Sequence, residues 1–338
     1  MKKLLIISVI LIALGGCIFV GAMAAGGWNF SEIGSGSMQT NTHTVEEDFE
    51  SILLDTETAD ISFLPAEDGV CRVVCYEREK ERHTAEVTDG RLEIKLCDER
   101  KWYEHISFGF KSPKITVYLP KTEYKALNID ESTGEIRLPQ GFSFESAKIE
   151  MSTGNLHLGA SVSGEAKIKS TTGNVSLTAT SLGSLDVELS TGNVHLDNLT
   201  VIGSIRVKKS TGALHATAIS AVDISVVGST GNVTLKEVRS SGTVSVDVST
   251  GKVSLTDTTA EHFTLSTDTG DVIFNSSDAK SINVLTDTGD VEGTLLSPKL
   301  FSASTDTGKV SVPSSSGTEP CIIETDTGDI NISIASNG

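Results

Sequence analysis

Seven aspartates near the C-terminus fall into two registers: Asp268, Asp287, Asp306 and Asp326, then Asp271, Asp290 and Asp329. If the chain stacks them, like charges about 5 Å apart repel, and Ca2+ could relieve that repulsion through oxygen ligands. Two features oppose a calcium site. Lys309 interrupts the second register, and the G-G-x-G-x-D spacing of calcium β-rolls is missing. Aspartate beside glycine is also common turn chemistry, and water screens exposed carboxylates. The expectation is a solvated corner with no cofactor, Ca2+ being the alternative.

Other side chains invite similar weighing. His157, His195 and His215 each follow a recurrent glycine by three residues, so His195 and His215 become neighbours that could share a metal. No third ligand accompanies them, and surface polarity is the expectation. Ser152, Thr171, Ser190 and Ser229 form a hydroxyl column that could meet carbohydrate or order water. The same hydroxyls also bond backbone amides, and stacked Asn builds a ladder, so a structural job is expected. Trp102, Tyr103, Phe108 and Phe110 cluster in "ERKWYEHISFGFKS". They suit a partner-binding surface or a plug for one end of the fold.

Cys71 and Cys75 stand roughly 13 Å apart if they share one extended strand, too far for a disulfide. Either could reach Cys97 across a sheet; free buried thiols are the alternative. C-x3-C without a second pair gives no zinc signal. "GSGS" at 34–37 lacks a following Lys and is no phosphate loop, and no Ser/His/Asp set can be singled out. An enzyme is therefore not expected, although some β-helices are polysaccharide lyases or hydrolases.

These residues are positioned by a repeat. Gly134, Gly154, Gly173, Gly192, Gly212, Gly231, Gly251, Gly270, Gly289, Gly308 and Gly328 recur at intervals of 19 or 20, each preceded by Thr. The second position after each is aliphatic, from Ile136 to Ile330, and the fifth before is apolar, from Ile129 to Ile323. Each copy is thus two short runs of period-two alternation joined by a glycine turn, which excludes an amphipathic helix. Two five-residue strands cannot bury a face alone; stacked on neighbours they can. The expected fold is all-β, a β-solenoid (β-helix or β-roll) of about eleven coils. A β-branched residue at Gly231 should disrupt the stack.

The chain has 338 residues, 5% aromatic, with a net charge of −18, which argues against nucleic-acid partners. Lys2 and Lys3 precede an uncharged run, Leu4–Gly27, which as a helix spans about 36 Å, enough to cross a bilayer. By the positive-inside rule the rest lies outside the cytoplasm. A cleaved signal ending in "AMAA" and a lipoprotein box "LGGC" at Cys17 are the alternatives. The expected organisation is a cytoplasmic tip at 1–3, a transmembrane anchor at 4–27, a Gly/Ser tether at 28–44, a β cap at 45–130 and the solenoid at 131–338. Within the cap, Asp89-Gly90 marks a hairpin. "GDINISIASNG" ends without an obvious cap, which suggests an open edge, self-association or a partner strand.

The strand "ITVYLP", the coil "LNIDESTGEIRLP" and the serial "STGNV" and "TDTGDV" corners together resemble the putative adhesin-type β-strand repeat family, domain of unknown function 4097. The resemblance covers roughly residues 45 to 338. It implies a membrane-tethered bacterial β-solenoid with a role in adhesion or envelope stress, and it carries over no catalytic residue. The functional expectation is a non-enzymatic, membrane-anchored extracytoplasmic solenoid for adhesion, scaffolding or envelope-stress sensing. An envelope protein or glycan is its expected partner; the alternative is a β-helix carbohydrate-active enzyme.

Overall fold

Alternation of aliphatic and polar residues dictates the coil. In the copy around Gly192, Leu185, Val187 and Leu189 point inward before the corner and Val194 and Leu196 after it, none more than 3% exposed. Val187 pairs in parallel with Ile168 on one side and Val207 on the other. A lone coil would leave both of these edges bare, so the aliphatic filling is completed only by neighbours. The computed structural model describes residues 2–25, 37–100, 112–314 and 317–335. It shows an all-β solenoid preceded by one helix.

The corner glycines stand in a single file, and the reason is close approach. Gly192 has φ 140°, and a Cβ built there would lie 1.8 Å from the carbonyl oxygen of Gly173. At Gly231 (φ 124°) the same atom would lie 2.0 Å from the Gly212 carbonyl. These backbones are not in the left-handed helical region that a tight turn would use. Glycine is kept because the preceding coil occupies the space of a side chain, and because a φ of 124–140° is one that side chains rarely adopt. A second corner, six residues further on, does use the left-handed region, and without glycine: Ala179, Asn198, Ala218, Glu237, Asp257 and Ser276 have φ of 49–55°.

The N-terminal end departs from the expected cap. Strands β1 (Met38–Val45), β2 (Ser51–Thr58), β3 (Asp60–Pro65), β4 (Cys71–Arg78), β5 (Glu81–Thr88), β6 (Arg91–Asp98) and β7 (Lys114–Leu119) precede β8 (Glu123–Thr133) and β9 (Ile136–Leu138). β2 pairs in parallel with β8, and β3 with β9. They form one more coil, with Ala59 at the glycine position. Beyond it β6 and β7 continue the two sheets, and β4, β5 and β1 close the end with antiparallel pairs. β5 and β6 turn at Asp89 (φ 50°) and Gly90 (φ 73°), the two left-handed residues of a type I′ hairpin. Met38–Thr44, read from sequence as the end of a tether, is strand, because its alternate residues Gln39, Asn41 and His43 face inward against β4.

At the C-terminal end the coils are out of chain order. The strand Val272–Thr288 pairs with Pro320–Thr327, which in turn pairs with Leu300–Thr307. The Gly328 coil is therefore inserted between the Gly289 and Gly308 coils. The expected open edge at the final strand is corrected: Ile330–Ile334 is flanked on both sides, and Ile323, Ile330 and Cys321 are fully buried. The end is formed by the Gly308 coil, where Leu300 and Val310 are 52% and 45% exposed.

The helix α1 spans Lys2–Ala25, with side chains described mainly over Leu11–Gly21. Among the described residues no helix is long and apolar enough to cross a membrane.

Candidate functional site: a hydroxyl-lined corner groove

The repeated "TDTGD" corner assigns a separate task to each residue. The first Thr points inward and donates to the corner carbonyl of an adjacent coil: Thr267 to Gly251 O (3.3 Å), Thr286 to Gly270 O (3.3 Å) and Thr325 to Gly289 O (3.2 Å). Asp268, Asp287, Asp306 and Asp326 lie exposed beside it. The Asp after the glycine accepts an amide from the next coil: Asp271 from Asp290 N (3.2 Å), Asp290 from Asp329 N (2.7 Å) and Asp329 from Lys309 N (2.8 Å). Asn155 and Asn174 do the same in earlier coils, at 2.9 and 3.0 Å. Lys309, which breaks the aspartate register, fits because only its backbone is used. The second register is a ladder of amide caps.

His195 and His215 stack at 5.2 Å between ring centroids. Partial burial and the neighbouring His215 charge hold His195 below the usual imidazole value. His157 instead meets Glu135, Nε2 to Oε1 at 3.1 Å. The cysteines are free. β5 lies between β4 and β6, and Cys97 faces out while Cys71 and Cys75 face in, so of the two alternatives the structure has free thiols and no bond to Cys97. Trp102, Tyr103, Phe108 and Phe110 lie outside the described residues.

A cleft of about 490 Å³ runs along the corner over five coils, from Lys169 to Ser249. Its rim carries hydroxyls two residues before each glycine: Thr171, Ser190, Ser210, Ser229 and Ser249. Four residues before the glycine, charges alternate in register: Lys169 beside Glu188, Glu188 beside Lys208. Between these columns lies Lys209, which the sequence reading passed over. It is 3% exposed, its amine 3.4 Å from Gly231 O, and burial pulls its pKa below the usual lysine value. Gly228 pairs opposite Lys209, where a Cβ would stand 3.0 Å from its amine. A Lys in a column that holds Met151, Ser170, Leu189 and Val248 in nearby coils, next to a Gly, was the available signal.

Two other buried groups are structural. Lys299 Nζ is fully ligated by Asp278 Oδ1 (2.6 Å), Glu319 Oε2 (2.5 Å), Ala279 O (2.7 Å) and Ser297 Oγ (2.9 Å). Glu131, in the first glycine coil, accepts from Thr56 Oγ1 and from the amides of Ala59 (3.1 Å) and Thr133 (3.2 Å). Burial nonetheless pushes its carboxyl up to about 7.

A family model described as Toastrack DUF4097 matches residues 49–223 and 216–338. Among solved structures, a "putative lipid binding protein" from Parabacteroides distasonis is 16% identical, over 88% of this chain and 98% of that one, with a TM-score of 0.46. A "putative adhesin" from Parabacteroides merdae is 11% identical over 88% and 97%, with a TM-score of 0.42. A "putative cell adhesion protein" from Clostridium sporogenes is 14% identical over 88% and 100%, with a TM-score of 0.28. No curated protein matches the chain.

Proposed function

Since this chain belongs to the Toastrack DUF4097 family, we propose that it is a non-enzymatic adhesion rod that lays a glycan strand along the corner groove. The observation that carries this reading is the row of hydroxyls from Thr171 to Ser249, flanked by Lys169, Glu188 and Lys208. Coils repeat at about 4.8 Å, close to the length of one sugar ring in an extended polysaccharide. Each rung therefore offers a donor and an acceptor to successive rings. Lys209 supports binding over bond cleavage, since its amine is directed to the Gly231 carbonyl beneath the surface.

Attachment to the membrane through the N-terminal helix belongs to the same proposal. It rests on the uncharged run Leu4–Gly27 behind Lys2 and Lys3. On the helix, Leu11, Ile12, Ile18 and Phe19 leave more than half of their surface bare. Alkaline extraction of native membranes should keep the chain in the pellet; release into the supernatant would count against the anchor.

The groove is tested with full-length chain and purified envelope polysaccharides in a sedimentation assay. The Ser190→Val, Ser210→Val, Ser229→Val triple variant should lose most of the binding, and Lys208→Glu part of it. Binding indifferent to both variants, or scission of the polysaccharide by the wild type, would overturn the reading.

A further inference from the structure

A second polar constellation lies far from the groove, inside the antiparallel end. Cys75 and Glu77 occupy alternate positions on the inward face of β4, and His83 faces them from β5. Cys75 and Glu77 are wholly buried and His83 is 3% exposed. One donor atom from each (a sulfur, a carboxylate oxygen and a ring nitrogen) lies within 4.8 Å of the other two. Val73, Leu92 and Ile94 pack around them, while β1 adds the inward-facing Gln39, Asn41 and His43.

Glu77 is held in place from two sides. Asn41 Nδ2 donates to its Oε1 at 2.5 Å, and the backbone N and Nδ1 of His83 approach its Oε2 at 2.7 Å each. With Nδ1 turned to the carboxylate, His83 Nε2 is left buried without any hydrogen-bond partner. Neither protonation state removes that cost. A neutral ring leaves a bare lone pair, a charged ring leaves a bare N–H, and an unpaired buried polar atom costs about 1–3 kcal/mol. The two ring nitrogens point to opposite sides, so an ion held by all three residues takes the place of the contact between Nδ1 and Glu77 Oε2.

We propose that Cys75, Glu77 and His83 form a buried zinc-type metal site in the N-terminal end of the solenoid. Sulfur, nitrogen and oxygen together suit Zn2+, which is borderline-soft and binds all three. Charge supports the same ion: a thiolate, a carboxylate and a neutral imidazole cancel a divalent cation, so the core gains no net charge. Tetrahedral zinc with bonds of about 2.0–2.3 Å holds its ligand atoms about 3.5 Å apart, so binding needs only a small contraction of the cluster. The ion displaces the thiol proton, and the hairpin of β4 and β5 is cross-linked where it closes the rod. C-x-E-x5-H is the sequence spacing that encodes it.

The test uses full-length chain, stripped with a chelator and titrated with Co2+ and then Zn2+. One Co2+ per chain should bind with a thiolate-to-cobalt charge-transfer band, and equimolar Zn2+ should bleach it. Cys75→Ser should abolish the band, and His83→Gln or Glu77→Gln should weaken Co2+ binding at least tenfold. Cys97→Ser, whose thiol faces out, should leave it unchanged. No band at equimolar Co2+, or a band that survives Cys75→Ser, would overturn the proposal. Should a variant fail to fold, alkylation of the wild type decides: Zn2+ must shield Cys75 from a thiol reagent more than it shields Cys71. Equal labelling with and without Zn2+ would also overturn it.

Discussion

The two ends of the rod solve one problem in opposite ways. Parallel coils leave an unpaired strand edge at each end, an invitation to aggregation. At the N-terminal end, β4, β5 and β1 run antiparallel to their neighbours, and the edge is closed by a change of direction. At the C-terminal end every strand stays parallel, and the last coil of the chain is instead slotted between its two predecessors. The corner column records the difference. Gly134 must be glycine because a Cβ would meet the Ala59 carbonyl at 1.9 Å, whereas Ala59 itself begins the file and keeps its methyl group. Position in the stack, more than the local turn, decides which residue is allowed.

The largest effect should come from removing residues 319–338. In a solenoid built in chain order this would merely shorten the rod. Here the Gly308 coil loses both partner strands of the Gly328 coil, so amides of Leu300–Thr307 should lose all exchange protection. Protection kept in the truncated chain would break the comparison. Next in size, Gly231→Val drives a side chain into the Gly212 carbonyl, 2.0 Å from its Cβ, and should cost at least about 4 kcal/mol. Ala59→Gly should cost about 1 kcal/mol or less, an entropic effect only. Similar melting shifts for the two would show that the file has no privileged start.

Two buried ionisable groups sharpen the contrast further. Lys299 clamps the inserted coil through Glu319 and the older one through Asp278. Lys299→Ala should lose about 3 kcal/mol, because two carboxylates are left without a cation. At the other end Glu131 should make stability depend on pH. Its folded carboxyl keeps a proton up to about 7, above the ordinary value of 4.5. Stability is therefore full below pH 4.5 and is lost as pH rises toward 7, by about 3 kcal/mol. Glu131→Gln should flatten urea midpoints across that window; an unchanged slope would show that Glu131 does not titrate there.

What the sequence disclosed follows from what repeats. The inward positions that flank the corner are aliphatic in coil after coil, and a corner stacked on a preceding coil must be glycine, so both columns stand out by period alone. The coil at Ala59 is hidden because its corner lies at the start of the file, where the glycine constraint lapses. The exchange of the last two coils is hidden for the opposite reason. "TDTGD" at Asp287, Asp326 and, with Lys309, at Asp306 presents equivalent contacts above and below, so the period is blind to order. The groove was half visible: its serines were read as a column, but Lys209 was not, since one lysine among inward residues looks like noise. Cys75, Glu77 and His83 are brought together only by the β4–β5 hairpin, and spacing within C-x3-C pointed elsewhere.

The slotted coil also bears on how the molecule is made. A ribosome releases the Gly308 segment before the Gly328 segment, so the earlier one meets its final neighbour only when the later one arrives. The tip therefore takes its final order only after the Gly328 segment has emerged. A nascent chain cut short before Pro320 lacks the slotted coil, and its Gly308 segment should be more open to a protease.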